Sequence, residues 1–397
     1  MKHSKSKRLS QAMLFILLFG IVSLFSDMTH EGASSIRGAY LSLLGASAGT
    51  IGFVSGLGEL IGYSMRYVFG KLTDRTKQYW PMTIAGYLLD VLAVPALALV
   101  GEHGWIGACA LLIVQRMGKA IKKPAKDTIL SFAAAQEGVG KSFGIQEVLD
   151  QIGAFLGPVL LYLVMLFKTD GTVFQIYSAC FAVLAVPSVI TIVLLLVTRY
   201  RFPNPECFEP ESKEYVPFKM KKEFILYIAG ISLFAFGFID YSIVIMHISR
   251  TYTGLAAGLA QTSALVSGGT LPLLYAGAML VDAVAALFFG FLYDKKGVRA
   301  LVWSTILSAP FAIFLFAVPS VPMVLVGMGA QESILKAAVT NMVPKASRAT
   351  GYGIFECSFG VFWFLGSWLL GVLYDISIPA MIAVSVAAQL AAIPLYI

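Results

Sequence analysis

The chain is a succession of apolar runs, each close to the length a helix needs to cross a bilayer. A transmembrane helix takes about 20 predominantly apolar residues, because the hydrocarbon core is about 30 Å thick and an α-helix rises about 1.5 Å per residue. Such runs fall near 11–30, 47–70, 79–100, 104–122, 142–167 and 172–198. After a polar stretch they resume near 223–248, 265–290, 298–318, 320–341, 350–373 and 376–396. The pattern predicts an all-α membrane protein of twelve helices in two bundles of six. Only 13% of the 397 residues are charged and 58% are hydrophobic, whereas a soluble domain carries about 25% charged residues. That composition excludes a water-soluble globule, a disordered chain and a collagen-like one.

The basic residues Lys2, Lys5, Lys7 and Arg8 precede the first run. No small-residue cleavage site follows it, so it is read as a retained span rather than a signal peptide. The stretch from Tyr200 to Lys222 holds Pro203, Pro205, Pro210 and Pro217 among charged residues. Proline and charge together disfavour a packed element. The chain therefore divides into an N-terminal bundle (1–199), a linker (200–222) and a C-terminal bundle (223–397). Cys109, Cys180, Cys207 and Cys357 show no metal-like spacing and no disulfide framework.

Lysine and arginine concentrate in cytoplasmic loops. With the spans as drawn, 22 of the 29 fall on the side of the N-terminus and linker, only Arg37, Lys168 and Arg250 on the other, and four within spans. This places the N-terminus, linker and C-terminus in the cytoplasm of a bacterial or archaeal cell, the protein being multi-pass in its plasma membrane. It also accounts for the net charge of +7 without any nucleic acid.

The halves repeat one another. Phe143-Gly144-Ile145-Gln146-Glu147 matches Tyr352-Gly353-Ile354-Phe355-Glu356 at a shift of 209. Gly70-Lys71-Leu72-Thr73-Asp74 matches Gly290-Phe291-Leu292-Tyr293-Asp294 at 220, and Asp27 matches Asp240 at 213. Parallel repeats of this kind occur in transporters whose substrate site lies between the halves.

These features together resemble the major facilitator superfamily of secondary transporters. The segment Gly70-Lys-Leu-Thr-Asp74-Arg75-Thr-Lys77 is similar to that family's loop signature between spans two and three, with Lys77 where a glycine is usual. A second copy runs from Gly290 through Asp294 and Gly297 to Arg299. The resemblance implies a conformational latch at these loops. Gly144, Gly153, Gly157 and Pro158 resemble the span-five signature of antiporting exporters, although Leu161-Tyr162 stands where that signature ends in two glycines. Gly153 and Gly157 also form a GxxxG face suited to close helix approach. Arg116 aligns with the family's span-four arginine, which the resemblance ties to proton coupling, and Lys119 and Lys123 share its helical face.

An ionisable group inside a span is costly unless paired or wetted, which makes it a functional candidate. Asp27, His30 and Glu31 share a face of span one. Span seven offers Asp240 and His247, and span five the neighbours Glu147 and Asp150. Glu59, Asp90, Asp282, Glu332 and Glu356 are the remaining carboxylates, with Glu332 four residues before Lys336. Glu59 and Arg66 lie two turns apart on one face, and Glu59 is a candidate partner across helices. His30, Glu31 and His247 fall near the outer ends of their spans as drawn. Nine intramembrane carboxylates against four basic groups favour a cationic or amphipathic solute.

The expected function is secondary active transport of a small solute by alternating access, driven as proton-coupled efflux. A divalent metal-ion carrier using Asp27, His30 and Asp240 is the alternative, and an importing or uncoupled carrier a third. The chemistry is binding, so no catalytic residue, cofactor or resident metal is expected. No GxxxxGK[ST] loop exists to use ATP directly. The partners are protons, the solute and the lipid bilayer, with the chain acting as a monomer.

Overall fold

The computed structural model describes residues 10–137, 139–168, 170–208, 220–256, 270–297, 299–316 and 348–396. The described residues form α-helices and short 3-10 turns, with no strand among them. In lipid this is the expected solution, because a helix satisfies its own backbone polar groups. The helices are α1 (Gln11–Leu43), α2 (Ala48–Thr76), α3 (Tyr79–Ala96), α4 (Trp105–Glu137), α5 (Val139–Phe167), α6 (Val173–Val183) and α7 (Ala185–Arg201). The second half contributes α8 (Lys222–Phe236), α9 (Tyr241–Ala256), α10 (Thr270–Lys296), α11 (Arg299–Ser308), α12 (Phe311–Phe316), α13 (Arg348–Ile376) and α14 (Ile378–Ala392).

Eight segments among the described residues are long and apolar enough to cross a membrane. They correspond to spans one, three, five, six, seven, nine, eleven and twelve. Helix α10 contributes the shorter apolar stretch Leu271–Val281. Helices α2 and α4 fall short by composition because they carry charge at mid-length. The expected tenth span, with Glu332 and Lys336, lies outside the described residues.

Three expected spans are interrupted. Helix α6 passes to α7 at Leu184, where Pro187 cannot donate to the carbonyl four residues back. A turn at Ala309-Pro310 separates α11 from α12. Span seven breaks between Phe236 and Tyr241, and Asp240 caps the new helix by accepting from Ser242 N at 2.8 Å.

Two helices run well past the ends that hydropathy assigns. Helix α1 continues beyond 30 to Leu43, so Asp27, His30 and Glu31 sit at mid-helix rather than at an outer end, and His30 is buried. Helix α4 continues beyond 122 to Glu137. Lys122 and Lys126, expected in a loop, are buried side chains of that helix. The linker also begins as packed structure. Pro205–Phe208 forms a 3-10 turn on α4, Trp80 Nε1 donates to Phe202 O at 3.1 Å, and Gln136 Nε2 to Phe208 O at 3.2 Å. Residues 209–219 lie outside the described residues.

The repeat is visible in the backbone. Lys77, which caps α2, has φ +56°, and Gly297, its repeat counterpart after α10, has φ +59°. Lys77 is the only non-glycine among the described residues with positive φ. The left-handed cap that the loop signature reserves for glycine is thus kept although lysine occupies the first copy. The side chains of Asp74 and Asp294 lie outside the described residues; Arg75 and Arg299 are exposed.

The two halves meet along α1–α9, α2–α13 and α5–α10. At the end where α1 turns into α2, one apolar core spans both halves, from Ile36, Tyr40 and Ile51 to Ile243, Met246 and Leu370. There Asp375 of α13 accepts from the first amides of α2, Gly49 N at 2.9 Å and Ala48 N at 3.3 Å, a carboxylate on a helix N-terminus. His247 belongs to this seal as well, its Nδ1 2.9 Å from Tyr374 Oη.

Candidate functional site

Below the seal lies a cavity of about 430 Å³. Helices of both halves line it, with the break in span seven at one wall. Irregular backbone at membrane depth is tolerated where it borders such a cavity.

Helix α4 supplies a basic stripe. Gln115, Lys119, Lys122 and Lys126 recur at three- and four-residue intervals and so share one helical face. Lys122 forms an ion pair with buried Asp90, donates to Ser26 Oγ at 2.8 Å and lies 4.1 Å from the Tyr87 ring centroid. Lys126 donates to Ser23 Oγ and stands 4.0 Å from Asp150. Asp150 also accepts from Gln146 Nε2 at 2.9 Å, and Glu147 from Gln151 Nε2 at 3.2 Å.

Arg116 Nη2 and Glu59 Oε1 pair at 2.7 Å, joining α4 to α2. Glu59 therefore does have its cross-helix partner. Arg66 instead reaches Glu356 of α13 at 3.4 Å, an ion pair between the halves.

The α1 face is brought to the same cavity. His30 touches Gln115 through Nδ1, and Lys119 Nζ is 3.3 Å from its Nε2. Glu31 accepts from Tyr275 Oη, across the halves. Asp27 lines the cavity but has no hydrogen bond or ion pair with another described residue. Asp240 lines it from the second half, its Oδ2 accepting from Ser55 Oγ at 2.7 Å. Arg37 sits beside this pair, donating to Ser242 Oγ at 2.9 and 3.1 Å.

The glycines of the span-five motif place this face. A Cβ added at Gly153 would lie 2.2 Å from Leu24 O, and one at Gly157 2.2 Å from Met28 O. Helix α5 thus seats directly on the turn of α1 that carries Asp27. Gly144 and Pro158 lie in the same helix.

The structure brings together Asp27, His30, Glu31, Glu59, Arg116, Lys119, Glu147, Asp150 and Asp240, all lining the cavity, with Asp90 one contact behind. Glu356 also stands one contact behind, paired with the lining residue Arg66 at the α2–α13 seam, and only His247 among these candidates is set apart, in the seal. Sequence reasoning missed Arg37, Lys122, Lys126 and Tyr275 as cavity residues. The lysines were visible as the continuing three- and four-residue period of α4.

Their inclusion changes the expected charge. Among the described residues, seven lysine or arginine side chains and six carboxylates line the cavity, so the described lining does not carry the excess acidity that favoured a cationic solute. Nor do Asp27, His30 and Asp240 converge as a ligand set. Among the described residues no three histidine, cysteine or acidic side chains are placed to hold a metal ion.

The family model described as Major Facilitator Superfamily matches residues 9–273. The chain belongs to that superfamily. Among relatives of this superfamily member, an uncharacterized protein of Mycobacterium tuberculosis (strain H37Rv) is 36% identical over 397 residues, covering 96% of this chain and 92% of the relative. An uncharacterized MFS-type transporter of Methanocaldococcus jannaschii is 26% identical, covering 91% and 89%. The fold is that of solved transporters. The nucleoside transporter NupG superposes with TM-score 0.74 at 14% identity, covering 97% of this chain and 98% of NupG. A peptide transporter POT in complex with sulfate gives 0.71 at 14%, covering 96% and 92%. This superfamily member is therefore a multi-pass membrane protein of the transporter kind.

Proposed function

We propose that this protein is a proton-coupled secondary transporter that exports a small solute in exchange for protons, with Asp27 as the proton-carrying group. The observation that carries the reading is the position of Asp27. It borders the cavity without a salt-bridge partner among the described residues, whereas Glu59, Asp90 and Asp150 are each set against a base. A carboxylate free of such a partner can exchange its proton with the cavity as the protein changes state, and that exchange ties proton flux to alternating access. The neighbouring basic stripe, including Lys119, together with Arg116, shapes the field around it. The α5 glycine motif, similar to that of antiporters, supports exchange over co-transport.

The same reading takes 1–199 and 223–397 as the two moving bundles and 200–222 as their tether. With the N-terminus, linker and C-terminus in the cytoplasm of a bacterial or archaeal cell, the seal closes the outer face. The loops at Asp74 and Asp294 then act as the inner latch, and a monomer suffices. Wild-type protein in liposomes should accumulate a solute from a chemically diverse panel when a pH gradient is imposed. The accumulation should collapse with a protonophore. Transport indifferent to the gradient would reject the coupling.

Orientation has its own test. Cys207 is exposed, so in a Cys357→Ser background an impermeant thiol reagent should label it only after cells are opened. Labelling from outside intact cells would invert the topology.

A further inference from the structure

Five of the bases around the cavity already have an acid. Arg116 faces Glu59, Lys122 faces Asp90, Lys126 faces Asp150, Arg66 faces Glu356, and Lys123 faces Asp127 at 3.3 Å. Lys119 does not; no described carboxylate is within ion-pair reach of its ammonium. Among the described residues the polar group within hydrogen-bond distance of it is His30 Nε2, at 3.3 Å.

The tautomer of His30 decides whether that neighbour can accept. Asp90 is ion-paired with Lys122, so its carboxylate only accepts, and Gln115 must turn its amide nitrogen toward Asp90 Oδ1, 2.8 Å away. The same nitrogen lies against His30 Nδ1 and donates to it. A neutral imidazole that accepts at Nδ1 carries its hydrogen at Nε2. Nε2–H therefore cannot accept from Lys119; both groups are donors. Glu31 Oε1 stands 3.6 Å from Nε2, while its other oxygen takes the Tyr275 hydroxyl.

An ammonium in a membrane-embedded cavity with no acceptor is costly, and buried charges are retained where a partner meets them. The geometry points to a transported solute bearing an oxyanion, a carboxylate or a phosphate, held by the Lys119 ammonium and the His30 Nε2–H. This rests on the transporter reading and names the solute class for its cavity. Two donors 3.3 Å apart suit two oxygens of one anionic group, and a charge-assisted hydrogen bond is about twice as strong as a neutral one. Asp27, one turn along α1 from His30, stays available for the proton.

The test uses purified full-length protein in detergent, titrated with sodium phosphate and separately with sodium acetate. Thermal unfolding is compared with sodium chloride at matched ionic strength. At least one oxyanion should stabilise the protein saturably. Lys119→Gln should weaken that apparent affinity by at least about tenfold. Lys119→Arg should keep most of it, and Lys168→Gln, an exposed control, should keep all. A response to phosphate alone assigns a phosphate-bearing solute, and to acetate alone a carboxylate; either supports the inference. No saturable response, or an undiminished one in Lys119→Gln while Lys119→Arg remains folded, overturns it. Oxyanion binding without gradient-driven transport would sink only the coupling reading. Gradient-driven transport of a solute lacking any acidic group that persists in Lys119→Gln would sink only this one.

Discussion

Replacing Asp27 by asparagine should abolish accumulation driven by a pH gradient while leaving solute exchange down a concentration gradient. The substitution keeps size and shape and removes the proposed proton-carrying site. Because Asp27 has no hydrogen bond or ion pair with another described residue, little stability should be lost with it. Gradient-driven accumulation should fall at least about tenfold, equivalent to about 1.4 kcal/mol or more of lost drive. Asp90→Asn gives the contrast. It strands Lys122 among buried groups, and breaking a buried ion pair costs about 3–5 kcal/mol. It should therefore lower thermal stability in detergent instead of selectively uncoupling transport. Asp240→Asn should be intermediate, since Asp240 caps α9 and accepts from Ser55. Intact gradient-driven accumulation in Asp27→Asn at equal protein abundance would remove Asp27 from the mechanism.

Hydropathy located the spans wherever apolar residues dominate the helix, as in α3 and α14. It lost nearly the last half of α4 for a physical reason. A lysine counts against a span in any average, yet Lys122 and Lys126 are accommodated by Asp90, Ser26, Ser23 and the Tyr87 face. The three- and four-residue spacing of those lysines carried the information that the average discarded. The early end assigned to α1 had the same origin, since Asp27, His30 and Glu31 look like a polar boundary. The consequence was chemical: two helix ends drawn short moved Arg37, Lys122 and Lys126 out of the cavity and made its described lining look more acidic than it is.

The repeat was the most legible feature, because duplication writes the same residues twice at similar shifts. The matching left-handed caps at Lys77 and Gly297 follow from it. The pairings were not legible. Glu59 and Arg116, or Asp90 and Lys122, come from different helices, and which acid meets which base depends on helix rotation and tilt. These are set by packing details such as the seating of α5 on α1. The breaks in spans six and nine are announced by Pro187 and Pro310. The one in span seven, which matters most for the site, is marked only by Gly237 and the capping Asp240.

Gly38 should control the seal between the halves. A Cβ built there would lie 1.9 Å from Ser242 O, 2.7 Å from its carbonyl carbon and 2.9 Å from its Cα. These are backbone atoms, so no rotamer change relieves the contact, and α1 and α9 must separate. Overpacking of this kind costs about 1–3 kcal/mol, charged here only to the state in which the seal is closed. Alternating access requires that seal to open, so the penalty moves an equilibrium that already exists, by about 5- to 150-fold. Gly38→Ala should therefore favour the state open at the α1–α2 end. The readout is a cysteine at Ile51, which is wholly buried in the apolar core of the seal. In a background with the four native cysteines changed to serine, Ile51→Cys should react with an impermeant thiol reagent faster by that factor when Gly38→Ala is added. Gly62→Ala is the control, since a Cβ there meets nothing within 4 Å, and it should leave the rate unchanged. Equal rates with and without Gly38→Ala, in protein that remains folded, would show that the α1–α9 contact does not govern the opening.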